Sequence, residues 1–598
     1  MCMMQACKLH FTRIYIFIIR FIIRIIVSMF IHTIPNRNSP PAILLRESYR
    51  EHGKVKSRTL TNLSHWPKDK VETLRLLLQG EKLAPVRELF EIVDSQHQGH
   101  VDAALRAMTR LGFEGLLASK LSRERDLVLG MVAARILEPD SKLSTTCWWH
   151  TTTLPTELGI TDADEDDLYD AMDWLLKRQP RIEKKLAARH LTKGGLVLFD
   201  LTSSYFEGVT CPLAALGKSR DVKRGTLQVN WGLLTDERGR PVAVSVFKGN
   251  TGDPKTLIPQ VHKVKEDFGI KTMAIVGDRS MITQAQIDEL KTIDGVDWIA
   301  ALKPQGIKKL VEDKAVQMDL FDKRNLCEIT HPDYPGERLV VCLNPELRKM
   351  RGHKRQSLLE ATKMELQKIQ AMVARGELKN KGANEIGVAV GKVVNKYKMS
   401  KHVALDIRDG FFEFHIDEAK VEAEASLDGF YVIRTSLDKK QTSAEDAVRH
   451  YKKLTLIERA YRSLKTIDLK TRPIRHRTED RVRANIFLCM LAYYVEWHMR
   501  EAWRSQLFCD EDQEAKKTRD PVAPARRSEA ALNNIRAKVL DDGTRIHSFQ
   551  TLLKSLSAIV RNRCRVPRAG LTAPLFEVVT TPNAKQQKAF ALLEDIQV

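Results

Sequence analysis

The chain has 598 residues, 43% hydrophobic and 29% charged, which excludes a disordered or fibrous protein and suits roughly three to four domains. Its 97 Lys and Arg exceed its 76 Asp and Glu by 21, a balance that favours a polyanionic partner such as nucleic acid or an anionic membrane surface. The nine cysteines include no CxxC pair and no His–Cys cluster at zinc-ligand spacing. They read as reduced thiols of a cytosolic protein, with no structural zinc.

Residues 1–35 form an apolar, basic extension. Phe11 to Ile31 carries Arg13, Arg20 and Arg24. A charge near mid-membrane costs about 2.5–3.5 kcal/mol, so a clean span is disfavoured. No membrane role is favoured, and the composition change after Met29 reads as the usual start. Residues 36–65 read as a hairpin turning at His52-Gly53, and 68–190 as mainly helical. The acidic run from Asp162 to Asp167 reads as a helix start. Together these make a region spanning 36–190.

At Gly194-Gly195 the pattern changes. LVLF is a buried-strand run ending in Asp200. LQVNWGLLT and PVAVSVFK follow as a hairpin turning at Asp236-Glu237-Arg238-Gly239. Asp253-Pro254 reads as an N-cap with proline at the first helical position. MAIVG is a second buried run, ending in Asp278, followed by a helix and a strand to residue 302. Apolar strands alternating with helices imply an α/β fold with a mixed sheet covered on both faces. An acid where a strand leaves such a sheet sits in the crevice where these folds keep their chemistry. Residues 303–427 break the pattern and read as an α+β insertion, with an exposed, arm-like helix from about 345 to 375. The core resumes over 428–508, and 509–598 is a linker and helical tail. ANIFLCMLAYYVEW is fourteen residues of apolar helix, too short to span a bilayer, so it belongs to the core.

Tyr451 to Arg483 carries the remaining acid. Leu456, Ile457, Ala460, Tyr461 and Leu464 make a buried stripe, while Tyr451, Leu454, Glu458, Arg462 and Lys465 share another face. Residues 451–500 hold 12 Lys and Arg against 5 Asp and Glu. One carboxylate among cations suits a metal ligand beside a polyanion. Three carboxylates from distant segments suit two Mg²⁺ or Mn²⁺ ions about 3.5–4 Å apart, which neutralise a phosphodiester and activate the attacking oxygen.

The segments FDLTSSYFEG, IVGDRSMIT and YKKLTLIERAYRSLK resemble DDE transposases of bacterial insertion sequences, a group with an RNase H-like core interrupted by an insertion. That group carries a Tyr-x2-Arg-x3-Glu-x6-Lys signature. Tyr451, Glu458 and Lys465 match it, and Leu454 stands at the arginine position. The resemblance covers roughly residues 36–500. It implies Asp200, Asp278 and Glu458 as catalytic metal ligands. Tyr451, Lys465 and Arg462 would then contact DNA, with Arg459 or Arg462 substituting for the missing arginine. It further implies strand transfer from a hydrolysed transposon end, terminal inverted repeats bound by residues 36–190, target DNA as second partner, and a homodimer. The alternatives are an RNase H-like nuclease without strand transfer and a catalytically inactive DNA-binding relative.

Overall fold

The computed structural model describes residues 29–36, 39–81, 89–221, 223, 225–316, 321, 325–377, 382–508, 520–523, 527–539, 543, 545–566 and 574–597. The extension through residue 28 and most of the linker after 508 lie outside the described residues. Two compact units form: Met1–Ser95 with Asn562–Val578, and Gln96–Arg561 with Val579–Val598.

In the first unit β1 (Met29–Ile34), β2 (Ala42–Glu51) and β3 (Lys54–Asn62) pair antiparallel in sequence order. The β2–β3 turn falls at His52 and Gly53, both at positive φ, as their sequence predicts. β1 lies where the sequence reads as the end of the apolar extension. Its six residues are too few to show a period against that background. β4 (Glu91–His97) joins a second small sheet with two C-terminal strands.

The second unit holds one large core. The helix Arg123–Leu137 is buried on nearly every face. It shares a continuous hydrophobic core with Glu165–Leu176, Gln179–His190 and the central sheet, so the division expected at residue 190 is not a division of packing. The acidic run caps its helix: the Asp164 carboxylate accepts the Asp166 and Asp167 amides at 3.0 Å.

β5 (Leu196–Tyr205), β6 (Gln228–Asp236) and β7 (Pro241–Lys248) form an antiparallel meander, and β8 (Met273–Val276) and β9 (Val296–Ala301) run parallel to β5. The spatial order β7-β6-β5-β8-β9 is that of an RNase H-like sheet. Gly232 on β6 is required by close packing, since a Cβ there would sit 2.6 Å from the Phe199 ring. β7 is an edge strand, and side chains cover its outer face. Glu183 accepts the Val244 amide at 3.0 Å, and the Gln179 amide donates to the Val244 carbonyl at 3.0 Å.

β10 (Leu326–Ile329) and β11 (Arg338–Leu343) lie inside the expected insertion, yet they extend the main sheet. The rest of the insertion builds on the helices Pro345–Ala374 and Ala383–Tyr397 and the hairpin of β12 (Val403–Arg408) and β13 (Phe411–Ile416). β14 (Phe430–Thr435) pairs with both β9 and β11, closing an eight-stranded sheet. The first of those helices is not the exposed arm expected. It buries Arg355, Leu359, Thr362, Leu366, Ile369 and Val373, spaced alternately four and three. Leu366, Ile369 and Val373 of that stripe pack with Ile386, Val390, Val403 and Phe412 in a small separate core. The helix Glu479–Ala502 is buried along most of its length, as ANIFLCMLAYYVEW predicts. Among the described residues no helix is long and apolar enough to cross a membrane. β15 (Val560–Arg565) and β16 (Phe576–Val579) complete the strands.

Candidate active site

β5 pairs with β6 from Val197 to Tyr205 but with β8 only from Leu196 to Leu198. Asp200 therefore does not end a strand, as LVLF suggests. It lies mid-strand, two residues beyond the point where β8 stops. Leu198 is opposite Val276, so Asp278 is also two residues past that point. The equal offset brings both acids to the open end of the parallel pair. The Asp200 carboxylate accepts the Leu201 amide at 2.8 Å. Burial first, then the charges of Asp278 and Glu458, push its carboxyl up to about 7, against the Leu201 amide and Arg220. Asp278 accepts the Ser280 amide at 3.2 Å and its hydroxyl at 2.8 Å, with the Tyr451 hydroxyl 3.5 Å from its other oxygen.

Glu458 comes from outside the sheet. The single helix expected over Tyr451–Lys465 is instead Ala444–Lys452, then Leu454–Arg462, then a π turn over Ser463–Ile467. Ser443 opens the first of these as its sequence predicts, accepting the Asp446 amide at 3.0 Å. Leu454–Arg462 buries Ile457, Ala460 and Tyr461 and leaves Glu458 exposed. The Tyr461 hydroxyl donates to the Asp200 carbonyl and accepts the Leu233 amide at 3.1 Å. Burial and the Asp200 charge hold that phenol far above its usual pKa, so it remains a donor. The π turn is pinned from the buried helix: Ser463 donates to Glu496 at 2.8 Å, and Arg500 joins Glu496 at 2.6 Å and Asp468 at 2.7 Å.

That turn redirects Lys465. It is 7% exposed, with its ammonium 2.7 Å from Asp221 and 3.0 Å from the Thr202 hydroxyl, and so does not share the outer face with Glu458. Burial lowers its pKa, opposed by Asp221. Arg459 and Arg462 are exposed, the former with its charge acting on Tyr493. Leu454 packs against the hydrophobic core, so no cation stands at that position. Tyr451, partly buried, is brought to Asp278 and has its phenol pKa raised by burial and then by that acid.

Sequence reasoning missed several partners. Asp253 stands at the N-cap position before Pro254 as expected, but its side chain makes no capping bond. Its carboxylate pairs with Arg220 and lies 3.0 Å from the same Ser280 hydroxyl that reaches Asp278. Burial pushes its carboxyl up, but Arg220 and Ser280 outweigh this and hold it low. Asp221 binds Lys465 and Arg472 and accepts the Tyr205 amide at 2.9 Å. Arg220 and Asp221 lie in a polar loop whose composition reads as solvated. Arg279 is exposed, and its charge acts on Tyr451. The ligand atoms of Asp200, Asp278 and Glu458 do not close into one cage. Among the described residues the one His/Cys/Asp/Glu group with ligand atoms within 4.8 Å is Asp313, His331 and Asp333, elsewhere in the chain.

The family described as transposase DDE domain matches residues 197–495, half of the chain. The chain belongs to that family. Residues 31–86 match the N-terminal domain of IS1634 family transposases, so this is a DDE transposase of the insertion-sequence type. No curated protein matches. A cryo-EM structure of the piggyBac transposase synaptic complex with hairpin DNA is similar over 83% of this chain and 84% of that one. Identity there is 8% and the TM-score 0.32, a likeness too loose to carry inference. Membership implies a DNA-transposing enzyme that uses divalent metal. Carboxylate oxygens are the donors that hard divalent ions take, and the carboxyl of Asp200 is raised by burial first and then by the charges of Asp278 and Glu458.

Proposed function

We propose that this transposase binds the terminal inverted repeats of its element, hydrolyses the phosphodiester at each end and joins the freed 3′-hydroxyl to target DNA. The observation that carries the reading is the equal register of Asp200 and Asp278, with Glu458 close enough for its charge to act on Asp200. These three would hold Mg²⁺ or Mn²⁺, two ions by the chemistry of phosphodiester displacement. When bound, such ions neutralise the scissile phosphate and lower the barrier to attack on it.

The protein's own groups position and steer. Ser280 fixes one oxygen of Asp278 and leaves the other toward Tyr451. Arg220 is directed by Asp253 and lies near enough to Asp200 to lower its pKa. Arg279 and Arg462 are exposed cations suited to terminal phosphates, and Tyr451 to the strand beside Asp278. Arg459 stays among the proposed DNA contacts. Lys465, expected at the DNA, we assign instead to fixing the Asp221 loop against β5. Residues 36–190 would read the repeats, two copies would hold the two ends, and the enzyme would act in the cytoplasm.

Cleavage of DNA carrying the element's ends tests this. Asp278→Ala and Glu458→Ala should each lower metal-dependent cleavage by about a thousandfold, the loss of several kcal/mol of charge stabilisation. Wild-type rates in either variant overturn the triad, and cleavage without joined product points to a nuclease.

A further inference from the structure

The sheet fixes Asp200 and Asp278 through backbone register, but Glu458 arrives on a helix that shares no ladder with them. Tyr461 ties that helix to the strand of the first acid directly. Tyr461 lies three residues after Glu458 on Leu454–Arg462 and is 7% exposed. Its hydroxyl donates to the carbonyl of Asp200 and accepts the amide of Leu233 at 3.1 Å. Asp200 and Leu233 are opposite one another in the β5–β6 register. The hydroxyl thus bridges the two strands at the residue that carries the first acid. Its ring packs edge-on to Trp231 at 5.1 Å and 90°, and Trp231 is itself held by an indole N–H bond to Ser204 at 3.0 Å.

We propose that Tyr461 is a positioning residue that sets the separation of Glu458 from Asp200, and with it the metal affinity of the site. This rests on the triad reading above. A hydroxyl that donates and accepts in one plane defines a direction as well as a distance, which apolar packing of Ile457 and Ala460 does not. Phenylalanine at 461 would keep the ring packing and remove both bonds. The Asp200 carbonyl and the Leu233 amide are then left without that bridge, or close on each other and draw β5 toward β6. In either case Glu458 loses its fixed offset.

The test measures Mn²⁺ binding to the full-length protein by the electron paramagnetic resonance of free Mn²⁺, alongside the metal dependence of end cleavage. Tyr461→Phe should raise the half-saturating Mn²⁺ concentration about 10- to 100-fold, the usual cost of losing a partner that orients a metal ligand. Cleavage should recover at saturating metal, and end-DNA binding without metal should stay unchanged. Trp231→Phe, which perturbs the same packing but spares the hydroxyl, should leave Mn²⁺ affinity within about threefold. 4-Aminophenylalanine at 461 returns a donor to the Asp200 carbonyl but accepts the Leu233 amide poorly, so it should restore much of the lost affinity yet bind Mn²⁺ measurably more weakly than wild type; if Tyr461→Phe does not fold, wild-type affinity in this variant overturns the proposal. Unchanged Mn²⁺ binding in folded Tyr461→Phe, or an equal loss in Trp231→Phe, overturns the proposal. Failure of the triad reading looks different: Glu458→Gln would then bind Mn²⁺ as wild type does.

Discussion

Asp200 carries an unusual charge state. Burial and two like charges hold its carboxyl at about 7, so the folded protein keeps a proton that the unfolded chain releases near 3.8. For a carboxyl raised on folding, stability is full below the unfolded value and is lost as pH rises through the folded one. Asp200→Asn should therefore melt at a higher temperature than wild type at pH 8 without metal, with the gap vanishing near pH 4. Divalent metal should close the gap at pH 8 by stabilising wild type. Calorimetric scans at the two pH values check this, and a gap that is constant with pH contradicts it. The acids were legible because an apolar run ending in Asp is conspicuous in either segment. Tyr461 was not, since its place in a 3/4 stripe is also that of any core aromatic. Asp253 does stand at the N-cap before Pro254, and that position gave no sign that its side chain turns to Arg220 and Ser280 instead.

At the scale of elements, local pattern carried the strands and helices whose signal lies within one segment. β5 to β9 follow from their apolar runs, and the fold order follows from them. The break at Lys453 and the π turn at Ser463 were not legible, because spacings of three and four continue through both. The turn depends on Ser463, Asp468, Glu496 and Arg500, which only the folded chain brings together. β10 and β11 fall within the insertion by local pattern because the pairing of β11 with β14, which carries β10 with it, spans a gap of about ninety residues that no local period reports. The helical insertion, with its own core, should be able to loosen without the sheet. Leu366→Ala should cost it about 2–5 kcal/mol. Hydrogen exchange should then rise over 345–416 and stay unchanged in β5 and β8, and a rise in those strands would show one cooperative core instead.

Across the whole molecule, the excess of 21 positive charges predicts binding to DNA that weakens steeply with salt. Each phosphate contact contributes about 0.9 to the slope of log affinity against log salt, so Arg279→Ala and Arg462→Ala should each lower that slope by about one unit on end DNA. Unchanged slopes would remove both from the interface. Charge gave the class of partner, while no composition could assign which arginines face it. The same holds for the helices between Gly99 and His190: their periodicity was plain, but their union with the sheet in one core was not.

The triad itself is tested most directly by changing the preference of one ligand. A thiolate in place of a carboxylate disfavours hard Mg²⁺ and tolerates softer Mn²⁺. Asp278→Cys should lose end cleavage in Mg²⁺ and regain a substantial part of it in Mn²⁺. Cleavage by Asp278→Cys at the wild-type rate in Mg²⁺ would contradict Asp278 as a metal ligand.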